Sequence, residues 1–419
     1  MVTVKSVRDT RLLVEAIDAI ADTEVLMNNA IVSVTDAVTK TQADSLNLLT
    51  NGQVTLESVE DTNANILLID GLTTSEVTMA AAAVKVTDKV NNAEVDTLDG
   101  KTTGKVTVDI LEDTFAEVSA LDALDNADVD ISGAAITVTN AVSKANADTL
   151  NGFTNAKVTL NSVEDDYANI QLIKAIDTAE VDMDAAAVKV SDNVTKTEVD
   201  DLRTDTTGDI TLTSVTEGKA DLATINGYTD VILSTANITV TDNVNKTEAD
   251  AIDAYNKTSG VVTLTSITDT VLNVTAVENN TNISLDTSTI TVTDAASLND
   301  ANAINNFTTA QVTLNIVEDT VSNITSIDGL TTSEVSMAAA ALTVSDAASL
   351  SAATLINDFT TGKVTLNSVE DIYSNIQSIK LIPDSQVDMG AAAVKVSDNI
   401  TKTEIDDLRT DTTGNITLT

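Results

Sequence analysis

The chain has 419 residues, a net charge of −43 from 65 acidic and 22 basic side chains, and no Cys, His or Trp. That composition excludes thiol nucleophiles, imidazole bases, His/Cys zinc sites and disulfides. It also disfavours nucleic acid and anionic membranes as partners, because both need basic surfaces. Apolar residues still make up 42% and aromatics only 2%, so the chain is expected to fold around a core of small aliphatic side chains. No apolar run approaches the ~20 residues of a membrane span, which predicts no membrane insertion. The N-terminal MVTVKSVRDT carries no signal-peptide pattern, so export would require a signal elsewhere in a longer chain.

From the N-terminus onward, one unit recurs. The motif VTLxSVED places its first apolar residue at Val2, Val54, Val106, Val158, Ile210, Val262, Val312 and Val364, and once more at Ile416. Successive starts lie 52 residues apart, except for the 50 between Val262 and Val312. Eight such units without a break in composition predict one continuous repeat array over residues 1–419, an excerpt of a longer chain. Residues 186–213 and 392–419 differ at only three of 28 positions: Val194/Ile400, Val199/Ile405 and Asp209/Asn415.

Each unit has two similar halves. In the fourth, KVTLNSVEDDYANIQLIKAI (157–176) is followed by AVKVSDNVTKTEVDDLRTDTTG (187–208). Both alternate apolar and polar residues, turn, and continue as a short helical pattern. Between them EVDMDAAA is a further short alternating stretch. This order predicts an α/β repeat fold: an elongated right-handed solenoid of short parallel strands and short helices, eight units of ~52 residues, each made of two βα halves. Each half is expected to add one rung to the sheet, the alternative being that a whole 52-residue unit forms a single coil.

In the second half the helix start is explicit. Thr39, Asn91, Ser143, Thr195, Asn245, Ser297, Ser349 and Thr401 form a column of capping residues, each worth about 1 kcal/mol against Ala. Thr195 and Glu198 have capping-box spacing, with Val194 and Val199 as the hydrophobic staple. Met27, Met79, Met183, Met337 and Met389 share a column with Ile131, Leu233 and Leu285. That exchange points to buried packing, because the three side chains fill similar volumes. Gly or Ala before each VTL strand (Gly52, Gly104, Ala156, Gly208, Gly260, Ala310, Gly362, Gly414) predicts a tight approach or a helix C-terminal turn.

Two columns of acids remain. Asp9, Asp61, Asp113, Asp165, Glu217, Asp269, Asp319 and Asp371 occupy the position equivalent to the cap, which predicts a helix N-cap. The other column is Asp36, Asp88, Asn140, Asp192, Asp242, Asp294, Asp346 and Asp398. It lies three residues before the cap, so local capping does not account for it. An Asx-turn at the strand end is one reading. The other is Ca²⁺ held by Asp36, Asp88, Asp192, Asp242, Asp294, Asp346 and Asp398, whose carboxylates would line up beside hydroxyls and turn carbonyls. The acid pair Asp200–Asp201 lies on a repeated polar helix face, whereas an active site is normally written once. No catalytic residue is expected.

The cadence AAITVTNAVSKANADTLNGFTNAKVTLNSVEDDYANI (134–170) resembles the tandem repeats of very large bacterial surface and secreted proteins, with units of the type ITVTDA…TTGTVTYSVSDTAANL. The resemblance covers essentially the whole chain. It implies an extracellular or cell-surface location, export often by a C-terminal signal, and a spacer or attachment role in an adhesin, filament or S-layer-like coat. The implied partners are neighbouring repeats of the same chain, or further copies in a homo-oligomer or filament. The alternative is a calcium- or glycan-binding solenoid module.

Overall fold

In the computed structural model, which describes residues 1–73, 75–124, 127–256, 259–330 and 334–419, the alternating stretches are strands and the periodic stretches are helices. The second repeat shows the order. A first strand, Val54–Asp61, leads to a first helix, Asn63–Asp70. A two-residue strand, Val77–Thr78, then precedes the second strand, Ala83–Val90, and the second helix, Asn92–Asp99. The described residues include sixteen helices of eight to ten residues each. Isolated helices shorter than ~12 residues are marginal in water, so these depend on their caps and on the strands beneath them.

The ladders are parallel and their register sets the number of coils. Ser58 pairs with Ala83 of the same repeat, and Val84 pairs with Val106 of the next. Each half-unit therefore contributes one rung, as expected, and a repeat is two coils of an α/β solenoid. The strands are also staggered. The start of the first strand, Val54, pairs with Val77 of the two-residue strand, while its fifth residue, Ser58, meets Ala83. EVDMDAAA-type segments thus supply a short strand that completes the ladder where the next long strand has moved sideways. Two compact units can be distinguished, 1–192 with 198–211 and 193–197 with 212–419. The division falls between the second strand of the fourth repeat and the start of the fifth.

Packing follows from the two periodicities. In the second repeat Val54, Leu56, Val59, Val84, Val86 and Val90 point inward from the strands. Ile66 and Ile69, and Val95 and Leu98, close over them from the helices. Each of these two helices places its two buried residues three apart, on one face. The Met column is core: its five Met residues and their replacements Ile131, Leu233 and Leu285 are at most 4% exposed. The staple pair Val194 and Val199 is fully buried, whereas Ile400 and Ile405 are half-buried. Leu98→Ala should cost about 2–5 kcal/mol through lost contact and the cavity left behind. Urea unfolding of the intact chain measures this, with the exposed Thr97→Ala as reference. Equal midpoints for the two variants would contradict the assignment.

The small-residue column is a close approach. A Cβ on Gly104 would lie 2.3 Å from the Ala82 carbonyl oxygen, and one on Gly208 would lie 2.2 Å from that of Ala186. No described residue has positive φ, so the left-handed helix C-terminal turn is not used. Repeats three and six carry Ala156 and Ala310 here, so their backbones make room for the methyl group.

The fifth repeat is less regular than its 52-residue length suggests. Its strands start 27 residues apart, Ile210 to Asn237, against 29 for Val158 to Ala187. The next strand then starts 25 residues on, at Val262, against 23 from Ala187 to Ile210. A two-residue deletion and a two-residue insertion cancel.

Candidate functional site: carboxylates at the helix N-termini

The acids of the second column lie within the second strand, at the irregularity that interrupts its ladder with the next coil. Asp88 falls between Val86 and Lys89, after which Lys89 and Val90 pair again, and the partners of these acids are in the preceding coil. Asp88 accepts the backbone N–H of Asn63, the first residue of a helix 25 residues earlier, at 2.7 Å. The same bond recurs through the column: Arg11 to Asp36, Phe115 to Asn140, Tyr167 to Asp192, and Lys219 to Asp242. Val271 to Asp294, Val321 to Asp346 and Tyr373 to Asp398 complete it. All eight repeats have this bond. Helix starts leave N–H donors unpaired and carry partial positive charge; a carboxylate from the adjoining rung supplies what both features require.

The other acid column does the same for the second helix. Asp61 accepts from Lys40 N–H at 2.7 Å, and Asp113, Asp165, Glu217, Asp269, Asp319 and Asp371 repeat the contact. The half-to-half comparison predicts these acids to be the N-caps of their own helices, and the structure corrects this. The cap is one residue later: Thr62 follows Asp61, and its N–H is held by the second Asp61 oxygen at 2.8 Å.

Geometry decides which cap matters more. Thr62 Oγ1 receives the Asn65 N–H at 3.4 Å, near the limit of a hydrogen bond, whereas the cross-coil carboxylate bond is 2.7 Å. The helices starting after Thr10, Gly218 and Ile372 have no side-chain cap bond, yet Asp36, Asp242 and Asp398 still hold their first N–H. Gly218 even packs against the Asp242 carboxylate, where a Cβ would come within 2.7 Å. The cross-coil bond is the constant element and the local cap the variable one.

Asp61 and Asp88 bind the consecutive N–H groups of Thr62 and Asn63, so acids from adjacent coils share one helix end. Among the described residues no group of three or more acids is gathered in a way that could hold a metal ion. Asn140 fills the column with a neutral amide oxygen at 2.8 Å, so the contact with the helix does not need a charge at every rung. Of the pair Asp200–Asp201, Asp201 accepts the Tyr167 hydroxyl at 3.0 Å. Burial and that bond push the Tyr167 hydroxyl up to about 12.

Burial opposes ionisation of Asp61, but the Asn65 amide and the Lys40 and Thr62 N–H groups outweigh it and hold the carboxyl below its ordinary value. Asp165, Asp269, Asp319 and Asp371 are lowered by the same balance. Asp130 is brought to about 2, chiefly by the Lys105 ammonium. Unfolded Asp titrates near ~3.9. These groups therefore stabilise the fold above about pH 4, and the contribution is lost as pH falls through the lower folded values. In ~0.5 M NaCl, where mutual repulsion is screened, melting temperature should decline between about pH 4 and pH 2. Asp61→Asn, which keeps an oxygen but no titrating group, should flatten that decline; an unchanged slope would contradict the cap assignment.

A second repeated device escaped the sequence reading. Thr102 is buried, donates its hydroxyl to the Ala82 carbonyl at 2.6 Å and accepts the Gly104 N–H at 2.9 Å. Thr50, Thr154, Thr206, Thr308, Thr360 and Thr412 make the same clamp to the carbonyl twenty residues earlier. In the fifth repeat, with its two inserted residues, Asn256 replaces Thr. Its longer side chain donates to Ala236 O and accepts from Gly260 N–H. The signal was present as a Thr column two residues before the small-residue column. Comparison with protein-family models, curated proteins and solved structures finds no match to this chain.

Proposed function

We propose that this chain is a structural repeat segment of a bacterial extracellular surface appendage or giant adhesin, a rigid, non-catalytic building block. One observation carries the reading: the strand-end carboxylates and amides that line up as a candidate site are used, once per repeat, to join one coil to the one before. All eight repeats tie the strand-end Asp or Asn to a neighbouring helix, and all eight contain the Thr or Asn clamp. A device repeated in every repeat serves the array; a catalytic centre needs an arrangement that occurs once. The location comes from the resemblance to surface-protein repeats. An antibody against the chain should label intact cells of the bacterium that makes it; labelling only after lysis would overturn the location.

A second reading, a calcium- or glycan-binding module, draws on the side-by-side acids at each helix end. A carboxylate has about four acceptor positions, so Ca²⁺ could join the N–H groups already bound. Under the structural reading the melting temperature is the same in chelator and in millimolar Ca²⁺. One site at 100-fold above its Kd adds ~2.7 kcal/mol, so a rise of several degrees would favour calcium.

A further inference from the structure

The solvent side of the sheet is charged in several repeats. Lys85 pairs with Glu60, Lys189 with Glu164 and Lys395 with Glu370, each across one rung. In the fifth and sixth repeats, which lie in the second compact unit, the equivalent positions are different. Thr216, Thr239, Thr263 and Ser284 align through the registers of four successive strands. Thr268, Thr291, Thr313 and Ser336 align in the same way. Between these rows Asn243, Ser266 and Thr289 are in register. All of these side chains reach solvent. Residues 258–362 contain no Lys or Arg, and the strand-end acids Asp242 and Asp294 are turned to helix ends.

We propose that this uncharged hydroxyl and amide face is an interface for a second copy of the same chain, stacked face to face. Charge gives the first argument. Two chains of net charge −43 repel, and a surface free of charge lets them approach without burying unpaired ions. Chemistry gives the second. Hydroxyls and amides both donate and accept, so such a patch is complementary to itself, as a two-fold interface requires. The rung period is the same on both copies, so one matched rung brings the others into register. Size sets the strength. Five rungs ~4.8 Å apart, over about five residues of strand, span roughly 400 Å² per copy. The total of roughly 800 Å² is below the ~1,200 Å² of a stable interface, so the dimer is weak and forms at high local concentration. The inference deepens the building-block reading by naming a lateral partner, and it can fail while the surface location stands.

Sedimentation of the full chain from ~10 μM to ~1 mM, in ~0.5 M NaCl, tests it. The average mass should rise from 43.6 kDa towards twice that value. Thr239→Lys with Thr291→Lys should weaken association at least tenfold. Lys85, Lys189 and Lys395 occupy the same strand position natively, so the double variant should fold, which its circular dichroism checks. Thr137→Lys, at that position in the first compact unit, should leave association unchanged. A wild-type chain that stays monomeric to ~1 mM, or a dimer indifferent to the two Lys residues, overturns the proposal. So does a monomeric wild type retained on a neutral polysaccharide column and released by the same two changes; that result would assign the face to a glycan.

Discussion

Thr102→Val should lower the unfolding free energy by about 2–3 kcal/mol, because a half-buried N–H and a buried carbonyl lose their partner with no gain in volume. Thr102→Ser keeps the hydroxyl and should cost only about 1 kcal/mol for the missing methyl group. The contrast isolates hydrogen bonding from packing. Thr102 joins the Ala82 carbonyl to the Gly104 N–H, so the clamp fixes the turn that brings Gly104 against the Ala82 backbone. The natural exception points the same way. Where the spacing from clamp to glycine grows from two residues to four, the longer Asn256 side chain restores both bonds. Urea midpoints of the two variants decide the matter; equal losses would show that the site is held by packing alone.

The second large effect is expected from the acid rows. Changing Asp61, Asp88 and Asp113 together to Ala removes caps from three successive helices, at about 1 kcal/mol each. The triple variant should lose about 3 kcal/mol, with departure from additivity because the residues are neighbours. The matching triple Asn variant should lose much less, as Asn140 accepts the Phe115 N–H at 2.8 Å in the native chain. It also carries three fewer negative charges among 65 acidic side chains, which slightly relieves repulsion. If the Asn triple were as unstable as the Ala triple, charge itself would be required and an ion at the row would become the better account.

The local rules of the chain were legible without coordinates. Alternation in VTLNSVED marks a strand with Val158, Leu160 and Val163 inside, and they are at most 2% exposed. Thr39, Asn91, Asn245, Ser297 and Thr401 form the capping boxes that Ser/Thr/Asn followed by an acid or amide three residues later predicts. Exchange of Met with Ile and Leu across repeats identified the core column. These features depend on residues close in sequence, so spacing alone reveals them.

What the sequence did not disclose are contacts between coils. Asp192 and Asp398 have no local partner; their helix N–H donors, at Tyr167 and Tyr373, lie 25 residues earlier. The distance is set by a full turn of the solenoid, which no motif rule contains. The same holds for Thr102 and Ala82, twenty residues apart, and for the compensating deletion and insertion in the fifth repeat.

Of the duplicated segments 186–213 and 392–419, sequence by itself determined strand and helix in both and the capping box of Thr401 and Glu404 in the second, because each is a matter of propensity and short-range spacing. Only the tertiary structure decided that a repeat is two coils and that its strand-end Asp serves the helix before it. Register and stacking bring together groups a whole coil apart, and that juxtaposition exists only once the chain has wound.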